Sequence, residues 1–243
     1  MPTVLILGAG SDIGIEIARK FASEKFDVQL AARRPQLLDP ACADLTIRYG
    51  IKANAHAFDA LKYGEHAAFF NSLSPAPDVT ICVFGILDEE ALAFNDWVVA
   101  ERMINTNYTG AVSILNVVAK KYISRQNGTI IGISSVAGDR GRASKLIYAS
   151  AKAAFTTYLS GLRNLCYGEK VQVLTVLPGF VNTKMTAQQS LPPLITSQPS
   201  EVAEIIYYAY LKKRNIVYIK WYWKYIMFII KLIPEFQFKK MNL

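Results

Sequence analysis

Short unbroken apolar runs punctuate the chain, and stretches with helical spacing separate them. Val4–Leu7 is the first run and ends at glycines. Ile13, Ile17 and Phe21 then recur on one helix face. Val28–Ala32, His56–Phe58 and Val79–Phe84 read as the second, third and fourth strands, with a helix over His66–Leu73 before the fourth. A long helix is expected over Asp96–Ser124, a fifth strand over Thr129–Ser134 and another helix over Tyr148–Tyr167. Val171–Leu177 forms a sixth strand, stopped by Pro178; Val202–Leu211 is helical and Ile216–Lys220 is a seventh strand. The strands are continuously apolar rather than alternating, so both faces of their sheet must be covered, and alternation with helices predicts parallel pairing. The pattern therefore predicts a doubly wound α/β domain over residues 1–220, with a central parallel sheet of about seven strands and a distinct C-terminal segment over 221–243. The Pro-, Ser- and Gln-rich stretch Gln188–Ser200 is expected to be a mobile loop, not a domain boundary.

Composition narrows the function classes. Of 243 residues, 52% are hydrophobic and 19% charged, so the chain can bury a core and general disorder is excluded. The net charge of +8 is unevenly placed: the last 32 residues carry +7, and the preceding 211 are nearly neutral. That distribution argues against a generally cationic nucleic-acid-binding protein, and no nucleic-acid partner is expected. Cys42, Cys82 and Cys166 are an odd number without close pairing and are expected to be reduced. His56 and His66 are the only histidines, so no metal site is expected. No secretory signal fits the start, and no apolar run of about 20 residues would span a bilayer, which points to a cytoplasmic protein.

Gly8, Gly10, Ser11, Asp12, Ile13 and Gly14 lie between the first strand and the first helix. Glycines let the backbone turn and approach a pyrophosphate, while the helix start offers free N–H groups and a positive dipole end. In this strand–loop–helix context the motif reads as the dinucleotide loop of a Rossmann fold. Asp12 is expected to cap the helix with its carboxylate turned away from the phosphate. The second strand ends in Arg33 and Arg34, where an acidic residue would instead bind the ribose hydroxyls of NAD. Guanidinium groups favour a 2′-phosphate, so NADP(H) is the preferred cofactor and NAD(H) the alternative. Asp59, after the third strand, can accept a hydrogen bond from an adenine amino group.

Tyr148 and Lys152 stand at i and i+4 on one helix face, and Ser135 lies thirteen positions upstream at the end of the fifth strand. A nearby cation lowers the pKa of a phenol and lets it exchange protons near neutrality. Ser135 can hydrogen-bond the same substrate oxygen, and Asn107 can hold a water that reprotonates the tyrosine.

These pieces together resemble the short-chain dehydrogenase/reductase family over almost the whole chain. The resemblance rests on the glycine loop, Asp59, Asn107–Gly110, Ile133–Ser135, the Tyr148/Lys152 pair and Pro178–Thr183. It implies that Tyr148 is the general acid/base, that Lys152 lowers its pKa and holds the nicotinamide ribose, that Ser135 orients the carbonyl or alcohol and that Asn107 supports a proton relay. Pro178, Gly179, Val181 and Thr183 would border the nicotinamide, with Ala60, Phe84 and Gly85 as further cofactor contacts. Leu7, Asp12 and the sequence Cys82-Val83-Phe84-Gly85 depart from the family pattern without removing a catalytic group. The strings VFGIL, NYTGAVS, SSVAGDRGR and PGFVNTKM are similar to the branch of decaprenylphosphoryl-2-keto-ribose reductases, which implies a keto-sugar on a polyprenyl phosphate as substrate. A soluble reductase of small carbonyl or steroid-like compounds would use the same residues, and a non-catalytic NADP(H)-binding sensor would need only the cofactor loop.

The tail, Trp221–Leu243, combines aromatic, apolar and lysine residues as an interfacial helix does. Peripheral contact with the inner face of a membrane is one expectation; packing against its own domain or a second subunit are the others. The family resemblance implies a homodimer or homotetramer through the helices at 96–124 and 148–167, with Leu162, Leu165 and Cys166 as an apolar surface.

Overall fold

The first apolar run forms β1 (Thr3–Leu7), buried throughout. The glycine turn leads into α1 (Asp12–Ser23), followed by β2 (Asp27–Ala32), α2 (Asp39–Tyr49), β3 (Ala53–Ala57), α3 (His66–Ser72) and β4 (Val79–Cys82). Next come α4 (Glu90–Asn95), α5 (Trp97–Ile104), α6 (Gly110–Ser124), β5 (Gly128–Ile133), α7 (Leu146–Leu165) and β6 (Val171–Leu177). The chain closes with β7 (Phe180–Val181), β8 (Thr196–Ser197), α8 (Pro199–Leu211), β9 (Ile216–Tyr218), α9 (Tyr222–Leu232) and α10 (Glu235–Phe238). The structure, a computed structural model, describes residues 1–187 and 190–241.

Seven strands pair in the order β3-β2-β1-β4-β5-β6-β9, all parallel. The sheet is the one expected, and side-chain alternation explains its unbroken apolar strands. Val4 and Ile6 of β1 point into a core with Ile17 and Phe21 of α1 and Ile206 of α8. Leu5 and Leu7 point the other way, against Ile114 and Val118 of α6 and Phe155 and Leu159 of α7. Strand order reverses between β1 and β4, so the crevice beyond their C-terminal ends is where such a fold binds ligands. Val83 N and Phe84 N both donate to Leu7 O, at 2.9 and 3.1 Å, which holds the two loops of that crevice together.

Several elements differ from the sequence reading. The long helix is interrupted: α5 starts at Trp97 behind an Asp96 cap, residues Asn105–Thr109 take a π-helical turn, and α6 resumes at Gly110. β3 begins at Ala53; as an edge strand of small residues paired only with β2, it carries little apolar signal. α2 has no clear periodic stripe, and Leu45 is its one buried residue. The stretch read as a mobile loop contains β8, which pairs with β7, and the start of α8; Gln188 and Gln189 lie outside the described residues. Leu162 and Cys166 do not form a surface. They are buried beside Val171 and Val173, and only Leu165 of that trio is exposed, at 65%.

Candidate active site

The glycine turn has a steric cause. Gly8 adopts φ +95°, and a Cβ there would stand 2.6 Å from the Phe84 backbone nitrogen. Gly10, by contrast, faces open space. Ser11, not Asp12, caps α1: its hydroxyl accepts from Gly14 N at 3.1 Å. Helix geometry leaves the remaining first-turn N–H groups without an intrahelical partner, facing the gap beside Gly10. The Asp12 carboxylate instead accepts from Lys184 N at 2.7 Å. It ties the turn to the loop after β7, which is why its charge does not oppose a phosphate. Arg33 and Arg34 follow β2, exposed, next to this turn, since Gly8 N and Ala9 N donate to Ala31 O. Asp59 is half-buried and its Oδ1 accepts from Leu61 N at 3.0 Å. Ala60 is buried with its carbonyl against Gly110.

On the other side of the crevice, α7 carries Tyr148 and Lys152. Two devices fix this helix. The Ser134 hydroxyl at the end of β5 donates to Lys152 O at 2.9 Å and bonds Thr156 Oγ1 at 2.7 Å. Glu90 of α4 accepts from Ile147 N at 2.9 Å and from Tyr148 N at 3.1 Å, capping the helix from outside with the negative charge its N-terminus favours. Glu90 was invisible to sequence reasoning because its partner lies 57 positions away.

Ser135 and Tyr148 line the same cleft, and the serine hydroxyl acts to lower the Tyr148 pKa. Ser135 Oγ also accepts from Ala137 N at 3.1 Å, which orients its lone pairs. Lys152 is buried; its Nζ donates to Ile133 O at 3.0 Å and lies 5.8 Å from the Tyr148 ring centre. Asn107, in the π-helical turn, is also buried. Its Nδ2 donates to Ile86 O at 2.8 Å and Met103 O at 2.9 Å, and its Oδ1 accepts from Ile86 N at 3.2 Å. These bonds make Asn107 a clamp on the loop after β4, with one Oδ1 lone pair left for another donor.

Burial pushes the Tyr148 phenol up to about 12, only partly opposed by the neighbouring Ser135 hydroxyl, and pulls Lys152 down to about 8. Desolvation of both groups thus acts against the lowering of the phenol pKa expected from Lys152.

One cleft of about 340 Å³ joins the two sides. It gathers Gly10, Ser11, Asp12, Ile13, Gly85, Ser135, Tyr148, Lys152, Pro178, Gly179, Val181 and Thr183 from the sequence-based set. Gly8, Gly14, Arg33, Arg34, Asp59, Ala60, Phe84 and Asn107 are not on its walls: they shape the turn, flank it or stand behind the lining. An elongated dinucleotide fits this arrangement: the open Gly10 face and the start of α1 would take its phosphates, and the cleft leads from there to Tyr148.

Trp223, from the C-terminal segment, lines the same cleft. It is buried against Gly179, where any Cβ would overlap the indole, and meets Phe180 edge to face at 5.5 Å. The tail is stapled down by Arg140, which donates to Ile230 O at 2.6 Å and Ile233 O at 2.7 Å, pairs with Glu235 at 2.9 Å and stacks 3.7 Å from the Phe238 ring centre. Arg140 stands in the SSVAGDRGR string, but nothing in the sequence joined it to residues ninety positions later. α9 thus buries Trp223 and Met227 and turns Trp221, Tyr225, Phe228, Ile229 and Leu232 outward.

The fold and this tyrosine–lysine–serine site define an oxidoreductase that acts on alcohols or ketones. The family model for short chain dehydrogenases matches residues 2–192, and the chain belongs to that family. An uncharacterised oxidoreductase of Mycobacterium tuberculosis is 33% identical over 241 residues, 98% of this chain and 96% of the relative. An NADP-dependent 3-hydroxy acid dehydrogenase of Schizosaccharomyces pombe is 26% identical, covering 88% of this chain and 89% of its own. Among solved structures, a short-chain dehydrogenase from Sphingobium yanoikuyae in complex with NADPH superposes with a TM-score of 0.83 at 21% identity, covering 97% of both chains.

Proposed function

We propose that this chain is an NADP(H)-dependent ketone reductase whose substrate is a keto-sugar carried on a polyprenyl phosphate, and that it works at an anionic membrane surface. The observation that carries the reductase reading is that Tyr148, Ser135 and the buried Lys152 stand together on the wall of one cleft that begins at the glycine turn. Bound there, the nicotinamide supplies the hydride that no side chain can. The protein supplies the rest. Ser135 and Tyr148 donate hydrogen bonds to the carbonyl oxygen, polarising it, and the Tyr148 hydroxyl then gives up its proton as the alkoxide forms. The Lys152 ammonium stabilises the phenolate left behind. NADP(H) is favoured by Arg33 and Arg34 at the end of β2 and is the cofactor named for the fission-yeast relative.

The shifted groups set a pH profile. Below about 8 the Lys152 ammonium keeps its proton, and the phenol keeps its own to about 12. Reduction is expected to be fastest below about pH 8 and to decline as Lys152 deprotonates; alcohol oxidation, which needs the phenolate, should rise with pH. A reduction rate that climbs through pH 8 would contradict this assignment. Arg33→Ala is expected to raise the Kd for NADPH by about 10- to 100-fold, the worth of a charge-assisted bond, and to leave that for NADH within about twofold. Equal effects on both cofactors, measured by titration, would remove the role given to Arg33.

The membrane reading is supported by the outward face of α9. Phe228 and Ile229 are 59% and 63% exposed, and Trp221, Tyr225, Leu232 and Phe236 extend the patch. Lys224, Lys231, Lys239 and Lys240 are exposed on the same segment and would suit anionic headgroups. No helix among the described residues is long and apolar enough to cross a membrane, so contact would be peripheral. Deleting the tail would expose the core through Trp223, so a surface variant is the cleaner test. Phe228→Ser/Ile229→Ser should lose most sedimentation with phosphatidylglycerol vesicles at low salt while keeping wild-type NADPH affinity. It should also slow a polyprenyl-linked ketone presented on those vesicles and spare a water-soluble one. Unchanged vesicle binding in the variant would overturn the membrane reading and favour a reductase of soluble ketones. A homodimer or homotetramer through the helices at 96–124 and 148–167 is proposed on the family resemblance, and sedimentation velocity reads it directly.

A further inference from the structure

Four arginines are half-buried among the described residues: Arg125, Arg140, Arg142 and Arg163. Three are fully engaged. Arg163 donates to Val173 O, Thr175 Oγ1 and Asn215 O. Arg125 donates to Asn127 O and Pro77 O and lies over the Tyr122 ring. Arg140 holds the tail, as described above. Arg142 differs: its side chain has no ion pair and no hydrogen bond among the described residues, and its Nε is buried without a partner. Arg142 lines the catalytic cleft together with Ser135, Tyr148 and Trp223. Much of the surrounding wall is apolar, formed by Val136, Phe180, Met185 and Trp223. A partly desolvated cation without a partner is costly to hold, and its five donors suit a planar or tetrahedral oxyanion.

We propose that Arg142 recognises the substrate, and that this substrate carries an oxyanion, a phosphate ester or a carboxylate, within the same cleft as its reducible carbonyl. The assignment rests on the reductase reading for the carbonyl, but the anion site stands on its own geometry. Two features separate it from the cofactor's phosphates. The phosphate turn and Arg33 follow β1 and β2, whereas Arg142 is in the segment between β5 and α7, two positions past the arginine that anchors the tail. The sheet order places β1 and β2 on one side of the crevice and β5 on the other. Arg140 also holds the segment firmly, through four contacts to α9 and α10, so Arg142 is positioned before substrate arrives and an ion pair there loses little to ordering. Burial accordingly lowers the Arg142 pKa from its ordinary value without discharging it.

The test uses full-length enzyme saturated with NADP+, so that the cofactor's own phosphate sites are filled. Calorimetric titration with methyl phosphate and, separately, with acetate is expected to show saturable binding at one site for at least one of them, and which of the two binds tells phosphate from carboxylate. Arg142→Gln should weaken that binding about 10- to 100-fold, Arg142→Lys should keep part of it, and NADPH affinity should stay within about twofold in both. Because the Arg142 side chain has no partner among the described residues, its loss leaves no orphaned group, and NADPH affinity reports whether the variant is folded. In steady-state assays with NADPH, the preference in kcat/KM for dihydroxyacetone phosphate over dihydroxyacetone, or for acetoacetate over methyl acetoacetate, should collapse in Arg142→Gln, because the anionic ketone loses far more than its neutral counterpart. Absence of saturable anion binding to the wild type, or equal binding by Arg142→Gln, overturns the anion site even if ketones are reduced. Anion binding that depends on Arg142 without turnover of any ketone leaves the site standing and counts against the reductase reading instead.

Discussion

Replacing Tyr148 with phenylalanine is expected to reduce NADPH-dependent ketone reduction by about 10²- to 10⁴-fold, the usual contribution of a positioned general acid. The ring stays, so packing is preserved; only the hydroxyl goes. Burial keeps that hydroxyl protonated up to about 12, so it is in the donor form at every pH where the enzyme would work. NADPH affinity should change little, because the phosphate turn, Arg33 and the α1 N-terminus are untouched. Single-turnover assays under saturating NADPH separate the two effects. Turnover within about tenfold of wild type would mean that another group donates the proton, with Ser135 the nearest candidate. Lys152 gives a second readout, since the decline of reduction above about pH 8 should persist, at far lower rate, in Tyr148→Phe if the lysine titrates independently.

Trp223→Ala should have the largest effect on stability among substitutions in the tail. Truncating a buried tryptophan removes its transfer free energy and leaves a cavity, together about 3–5 kcal/mol. For a domain of this size that corresponds to a fall in Tm of roughly 6–20 °C. The loss should also reach the chemistry. Trp223 covers Gly179, meets Phe180 and forms one wall of the cleft, so kcat/KM for a ketone should fall while NADPH binding is spared. Differential scanning calorimetry and steady-state kinetics check the two halves. A variant that melts like wild type would show that the tail is merely appended to the domain, not packed into it. Arg140→Ala should give a milder form of the same phenotype, because it releases the α9 carbonyls without emptying the core.

The clustering of Ser135, Tyr148 and Lys152 was legible because their spacing is local or tied to strand ends. Tyr148 and Lys152 share a helix face by their four-residue separation alone, and Ser135 must stand at the end of β5 because the apolar run stops just before it. The glycine turn was equally readable: Gly8 needs positive φ, and the adjoining helix starts where Ser11 can cap it. Asp12 was misread because a carboxylate at a helix start has two uses, and the partner that decides between them, Lys184 N, lies 172 positions away. The same distance problem hid Glu90 under α7 and Arg140 under the tail.

The tail marks the boundary between the two kinds of information. Its composition determined that Trp221–Leu243 would be apolar, aromatic and basic, and therefore could not be an ordinary solvated terminus. Whether that segment lay on a membrane, a partner or its own domain was not encoded in any local pattern, since a helix apolar nearly all round can bury any face. Tertiary structure chose the face: Gly179 leaves room for Trp223 where no side chain could stand, and Arg140 caps the α9 carbonyls, so Trp223 and Met227 turn inward and Phe228 and Ile229 face out. Sequence alone determined the strand–helix alternation, the glycine turn and the pairing of Tyr148 with Lys152 on one helix face, because each follows from backbone sterics or a spacing of a few residues. The shape of the cleft, the shifted pKa values and the unpartnered Arg142 were decided by folding, because burial and long-range contact exist only once the chain has closed on itself.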